Sequence, residues 1–151
     1  MKVYRICLPQ FADDLSGEGA YLYGGRWNFP KTRLLYTSSS ASLCLLEMLV
    51  HLPDYQTDSI FTLLTLEVPE FKFLKFETKE LPEGWDSFQS LEVPRKFIAA
   101  QLIKRSSLGF YVPSVVMPLD FNLLLNPLHS GHSEIKIIEK RDYKLSDRFI
   151  K

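Results

Sequence analysis

A single α+β domain, with a mixed central sheet flanked by helices, is the fold class this sequence predicts. Three observations carry it. The chain has 151 residues, the size of one domain that buries roughly two thirds of its unfolded surface. Strand-like segments are interspersed with two or three helical ones, without a regular strand–helix–strand rhythm. No internal repeat, linker-like stretch or low-complexity tail divides residues 1–151.

The elements follow in order. "KVYRICL" alternates and is rich in β-formers, so it reads as a strand. The glycine-rich stretch "FADDLSGEGAYLYGGRWNFPKTR" reads as loop and short irregular strand, and "LLYTS" as a second, short strand. Ser38, Ser39 and Ser40 offer N-caps for a helix beginning near Ala41, which Pro53 ends close to Leu52. "IFTLLTLEVP" is a strand, and "FKFLKFE" continues it or opens another. "LPEGWDSF" is a turn-rich connector, and "VPRKFIAAQLIKRSS" has helical spacing with Pro94 in its first turn. "GFYVPSVVMP" is an edge or bulged strand, because Pro113 lacks a ladder donor. "DFNLLLNPLHSGHSE" reads as loop-rich, and "IKIIEKRDYKL" as the last strand.

Charge and composition exclude several classes. Lys+Arg and Asp+Glu both number 18, which argues against a nucleic-acid binder with a broad basic face. No apolar run approaches the ~20 residues of a membrane span. Acids enter too early in "MKVYRICLPQFADD" for a signal peptide. Cys7 and Cys44 suggest neither a metal site nor a disulfide framework, and the expectation is a soluble, cytoplasmic protein. No pair among His51, His129 and His132 has zinc spacing with a third ligand, so no metal site is expected.

The anomaly lies in "LCLLEMLVHL". Glu47 interrupts an apolar segment, with Leu43, Cys44, Val50 and His51 as its neighbours on one helical face. A helix apolar nearly all round is expected to be central, with Glu47 partly or wholly buried. Such a carboxylate either takes a partner in a structural ion pair or serves as a catalytic group in a cleft. In "GGRWNFP", Gly24 and Gly25 permit close approach of a ligand, Arg26 supplies a fork suited to phosphate, and Trp27 adds a wall. Neither a Walker loop nor a dinucleotide fingerprint has this spacing. Tyr36 in "LLYTS" stacks on a flat ring or fills the core. Ser114 in "YVPSVVMP" binds a ligand or satisfies its hydroxyl locally.

"YRI", "GEGAYLYGGRWNFP", "LLYTSSSASLCLLEMLVHL", "VPSVVMP" and "FNLLLNPLH", in that order, make the chain resemble a RES domain. The resemblance implies a fold like that of ADP-ribosyltransferases and a toxin of a bacterial type II toxin–antitoxin pair that degrades NAD⁺. As the resemblance has it, NAD⁺ is the substrate and no cofactor is needed. Glu47, Arg26, Tyr36 and Ser114 fall on the principal positions, and Arg5 and Asn122 on positions that line or support the pocket. The binding set it implies is Arg5, Arg26, Tyr36 and Asn122. It also implies an Xre-like helix-turn-helix antitoxin as partner and toxin dimers within larger complexes, with no direct contact to nucleic acid or membrane. The acceptor of the cleaved ADP-ribose stays open between water, phosphate and a protein, and a non-catalytic nucleotide- or partner-binding module is the rival reading. Two features depart from the pattern: a Gly-Asp pair is missing before the second helix, and Ser130 replaces a proline after "NPLH".

Overall fold

The structure is a computed structural model that describes residues 1–56, 58–70, 73–104 and 106–145. Among the described residues seven strands form one sheet in the order β4-β5-β6-β2-β1-β3-β7. They are β1 (Lys2–Cys7), β2 (Leu35–Ser38), β3 (Ile60–Glu67), β4 (Leu74–Lys75), β5 (Gly109–Pro113), β6 (Phe121–Leu125) and β7 (Lys136–Lys144). Only the β4–β5 pair is parallel and every other neighbour is antiparallel, so the sheet is mixed, as the sequence predicts. Among the described residues three α-helices accompany it: α1 (Glu18–Tyr23), α2 (Ala41–His51) and α3 (Glu92–Ile103).

Strand alternation sorts the apolar residues onto two faces. Leu123 and Leu125 of β6 join Val3, Leu35, Leu64 and Leu66 in one core. Leu124 points the other way, into a second core with Trp27, Trp85, Ile98 and Phe110. Helix α3 closes this second core through Ile98, with Phe97 and Leu102 packed against it. The 3₁₀ turn Ser130–Glu134 leads through the buried Ile135, a member of the first core, into β7. At the open edge β7 is mostly exposed and carries Lys, Glu, Arg and Asp, a composition that discourages edge-to-edge pairing.

Several elements differ from expectation. The glycine-rich stretch holds helix α1 rather than a strand, and a 3₁₀ turn at Pro9–Phe11 leads into it. Gly17 and Gly24, both at φ 71, bracket α1 as its N- and C-caps, so the glycines punctuate a helix there. "FNLLL" is strand β6, held between β5 and β2. Its three leucines show no apolar–polar alternation because both faces of the sheet are covered there, Leu123 and Leu125 by one core and Leu124 by the other. Strand β5 lies inside the sheet, yet Pro113 is its last residue and pairs with β6 alone, beyond the reach of the two-residue β4. Of the "FKFLKFE" segment, Leu74–Lys75 form β4, whereas Phe71 and Lys72 lie outside the described residues. Residues 146–151 of the expected domain lie outside them as well.

Helix α2 is not central. It lies against β1 and β2 with only Leu43 and Cys44 fully buried, and Val50 is 49% exposed. Glu47 is accordingly half-buried rather than enclosed. Among the described residues no helix is long and apolar enough to cross a membrane.

Candidate active site

The cavity that matters opens beside α2. It has a volume of about 630 Å³ and its walls include Arg5, Arg26, Tyr36, Glu47, Arg95 and Asn122.

Glu47 is delivered by a well-capped helix. Ser40 accepts a hydrogen bond from the Leu43 amide at 3.1 Å, and Leu52 and Pro53 end the helix after His51. One turn beyond Leu43, the Glu47 carboxylate meets the ends of β5 and β6. Ser114 donates its hydroxyl proton to Glu47 Oε1 at 2.6 Å, and Asn122 Nδ2 donates to the same oxygen at 2.6 Å. These are short, charge-assisted bonds. Among the described residues no donor reaches Oε2. One carboxylate oxygen is thus anchored and the other is left to the cavity.

The anchors are themselves held. Ser114 is fully buried, and its Oγ accepts the amides of Val116 at 3.1 Å and Met117 at 3.0 Å. A hydroxyl has one proton and two lone pairs, so every hydrogen-bonding capacity of Ser114 is in use and none is left for a ligand. Asn122 lies directly opposite Ser38 in the β2–β6 ladder, where paired side chains share a face. Ser38 donates to Asn122 Oδ1 at 2.7 Å, which fixes the amide with its NH₂ toward Glu47. Asn122 therefore positions the carboxylate.

A second assembly surrounds Arg26. The buried Asn28 donates through Nδ2 to the carbonyls of Ala20 at 2.8 Å, Phe29 at 3.1 Å and Thr32 at 2.9 Å. Its Oδ1 accepts the Tyr36 hydroxyl at 2.7 Å, while the Tyr36 oxygen accepts the Trp27 amide at 3.0 Å. Burial drives the Tyr36 phenol far above its usual pKa, so it stays protonated and keeps donating. Gly25 makes this closeness possible, because a Cβ there would lie 2.5 Å from the Tyr36 hydroxyl oxygen. Trp27 is buried and stacked on Trp85, with ring centroids 5.9 Å apart.

Arg26 itself is braced by the connector. Its Nη1 donates to the carbonyls of Ser87 at 2.9 Å and Trp85 at 3.3 Å, and its guanidinium lies 5.4 Å from the centre of the Phe88 ring. Burial lowers the Arg26 pKa, and the Glu47 charge, followed by that of Asp86, opposes the shift. The cation and the carboxylate therefore share one electrostatic environment.

The other expected residues fall less tightly into place. Arg5 lines the cavity, but it pairs with Leu64 in the β1–β3 ladder, and its Nε is buried with no hydrogen-bond partner among the described residues. Burial raises the Cys7 thiol pKa, and the charge of Arg5 opposes the rise. Burial pushes the Cys44 thiol, close beside Glu47 on α2, up to about 12, so it is a neutral thiol near pH 7.

Asn28, Ser38, Phe88 and Arg95 are absent from the sequence-level set. Ser38 had a signal, since it stands two residues from Tyr36 on the same strand face. Asn28 had a weaker one, its place two residues after Arg26. Phe88 and Arg95 had none, because nothing local in the connector or α3 points to a site formed with residues 24–26.

Fold and site together define a mixed-sheet α+β domain with an arginine-lined cavity beside one anchored carboxylate. The chain belongs to the RES domain family, whose model matches residues 2–146. Its relatives include "Toxin Res" of Yersinia enterocolitica, 38% identical over 132 residues that cover 87% of each chain. "Toxin Res" of Photorhabdus laumondii is 31% identical over 157 residues, covering 100% of this chain and 98% of the other. The "Prs ADP-ribosylating toxin" of a Sphingobium species is 35% identical over 143 residues, covering 93% and 89%. The fold is shared with a chain of the M. tuberculosis MbcT–MbcA toxin–antitoxin complex, with a TM-score of 0.81 and 20% identity over 95% of this chain and 84% of that one.

Proposed function

We propose that this protein is the toxin of a toxin–antitoxin pair and that it breaks the nicotinamide–ribose bond of NAD⁺. Relatives named as toxins along nearly the whole chain support the first part. The observation that carries the second is the half-anchored carboxylate, with Oε1 held by Ser114 and Asn122 and Oε2 presented to a cavity that also contains Arg26.

As the glycosidic C–N bond stretches, its electron pair moves onto the nicotinamide and positive charge develops on the ribose. A fixed carboxylate opposite that carbon stabilises the transition state more than the ground state. Both hydrogen bonds to Oε1 are made before substrate arrives, so little reorganisation is needed. Arg26 holds the diphosphate. The Tyr36 ring packs against the nicotinamide while its hydroxyl holds the Arg26 turn. In hydrolysis, water forms the new bond to the ribose carbon and gives up its proton, with Glu47 as the nearby base.

A second reading keeps the site and changes the acceptor, and the similarity to a protein named an ADP-ribosylating toxin favours it. Purified protein incubated with NAD⁺ is expected to release nicotinamide. Free ADP-ribose identifies water as acceptor, a phosphorylated ADP-ribose identifies phosphate, and a protein mass increase identifies transfer. Intact NAD⁺ after prolonged incubation, alone and with a cell extract, would sink the catalytic reading. The same proposal includes action in the cytoplasm, toxin dimers, and an Xre-like helix-turn-helix antitoxin, checked by co-purification with the product of the adjacent reading frame.

The geometry also assigns a task to Ser38. In Ser38→Ala the Asn122 amide loses the partner that fixes its orientation. The expected loss is about 1 kcal/mol of stability in a urea titration and roughly tenfold in the rate of NAD⁺ loss. An unchanged rate would remove Ser38 from the positioning chain.

A further inference from the structure

We infer that Arg95 is a phosphate-binding residue of the cavity, working beside Arg26, and that its Nε–H simultaneously sets the turn from which Arg26 projects. This deepens the NAD⁺ reading and rests on it for the identity of the substrate. The anion-binding role itself stands on geometry.

Four observations converge. Arg95, in the first turns of α3, donates from Nε to the Gly25 carbonyl at 2.8 Å, so it grips the peptide group leading into Arg26. Its Nη2 would lie 3.2 Å from a Cβ on Gly24, so the absence of a side chain at Gly24 leaves room for the guanidinium. Among the described residues the cavity is lined by three arginines, Arg5, Arg26 and Arg95, against one glutamate, Glu47. Five ion pairs are made among the described residues, and none of the three arginines takes part in one of them.

Unpaired guanidiniums gathered in a partly buried cavity repel one another unless an anion enters. The Glu47 carboxylate already takes two hydrogen bonds on one oxygen. A diphosphate supplies the missing negative charge and the acceptor oxygens that planar guanidinium forks match. Arg26 uses Nη1 on backbone carbonyls and Arg95 uses Nε, so the remaining N–H groups of both are left to a ligand. Both cations are attached to the same Gly25–Arg26 peptide, one through its backbone and the other through a hydrogen bond, and so reach the cavity as a pair.

The test is calorimetric binding of ADP and of adenosine to wild type, Arg95→Gln and Arg95→Lys. Wild type is expected to prefer ADP. Arg95→Gln is expected to weaken ADP at least tenfold while leaving adenosine within about twofold, which separates lost anion binding from a deformed cavity. Arg95→Lys keeps the charge without the planar fork and is expected to fall between the two; it carries the test should Arg95→Gln fail to fold. Equal weakening of both ligands, unchanged ADP affinity in Arg95→Gln, or a wild type indifferent to the diphosphate would overturn the inference. Binding needs no turnover, so the two readings fail separately. Selective loss of ADP with no NAD⁺ cleavage removes the enzyme and keeps the anion site, whereas NAD⁺ cleavage with unchanged ADP binding does the reverse.

Discussion

Glu47→Gln is expected to abolish NAD⁺ loss while leaving the fold intact. The amide oxygen of glutamine can accept from both Ser114 and Asn122, as Oε1 does now at 2.6 Å from each. The NH₂ then takes the place of Oε2 toward the cavity. What disappears is the negative charge facing the ribose. Removing a pre-oriented electrostatic group of this kind costs about 3–4 kcal/mol of transition-state stabilisation, a fall of roughly 10²–10³ in turnover. A thermal melt of the variant is expected to overlay that of wild type, and nicotinamide release reports the rate. A variant that consumed NAD⁺ at the wild-type rate would leave Glu47 a structural residue and remove the basis of the mechanism.

Asn28→Ala has the largest expected effect on stability. This side chain is 1% exposed and satisfies three carbonyls and one phenol from the interior. Alanine abandons them together. Buried groups left without partners cost about 1–3 kcal/mol each, so a total of about 3 kcal/mol or more is expected, even with water entering the gap. Asn28→Asp is expected to be little better, since a carboxylate oxygen replaces the NH₂ that faces the three carbonyls. Activity is expected to fall about a hundredfold at temperatures where the variant remains folded, because the Arg26 turn shifts and small misplacements of a binding group are costly. Urea titration measures the stability change, and NAD⁺ consumption well below the midpoint measures the rate. A loss under 1 kcal/mol would mean that the loop is held elsewhere.

The serine of the site illustrates how the structure narrows a choice that residue types leave open. The residue types leave Ser114 either to bind a ligand or to satisfy its hydroxyl locally. Two backbone amides take its lone pairs and Glu47 takes its proton, so it works on the carboxylate and not on a ligand. Tyr36 divides in a similar way, with its ring at the cavity and its hydroxyl committed to Asn28 and Trp27. The order of motifs was enough to reach the family. It was not enough to tell binding residues from positioning ones.

Local signals revealed what local forces govern. The serine cap and Pro53 bounded α2 because capping and ring sterics act within a few residues. Strands β1, β3 and β7 declared themselves through composition and pattern. The anomaly of Glu47 was visible for the same reason, since a charge inside an apolar run stands out within two turns of helix.

Other features arise only when distant segments meet. Glu47 is anchored by residues 67 and 75 positions away, Arg26 is braced by carbonyls 59 and 61 positions away, and Arg95 reaches Gly25 across 70. No local preference encodes such contacts. They follow from sheet register, which sets Ser38 against Asn122, and from the burial of apolar faces that brings α3 and the connector against residues 24–28. Sequence alone determined which chemical groups the protein has and which short elements carry them. Tertiary packing decided which carboxylate oxygen faces the cavity and which guanidiniums stand together, because those are properties of distances between chain segments that only the folded core holds fixed.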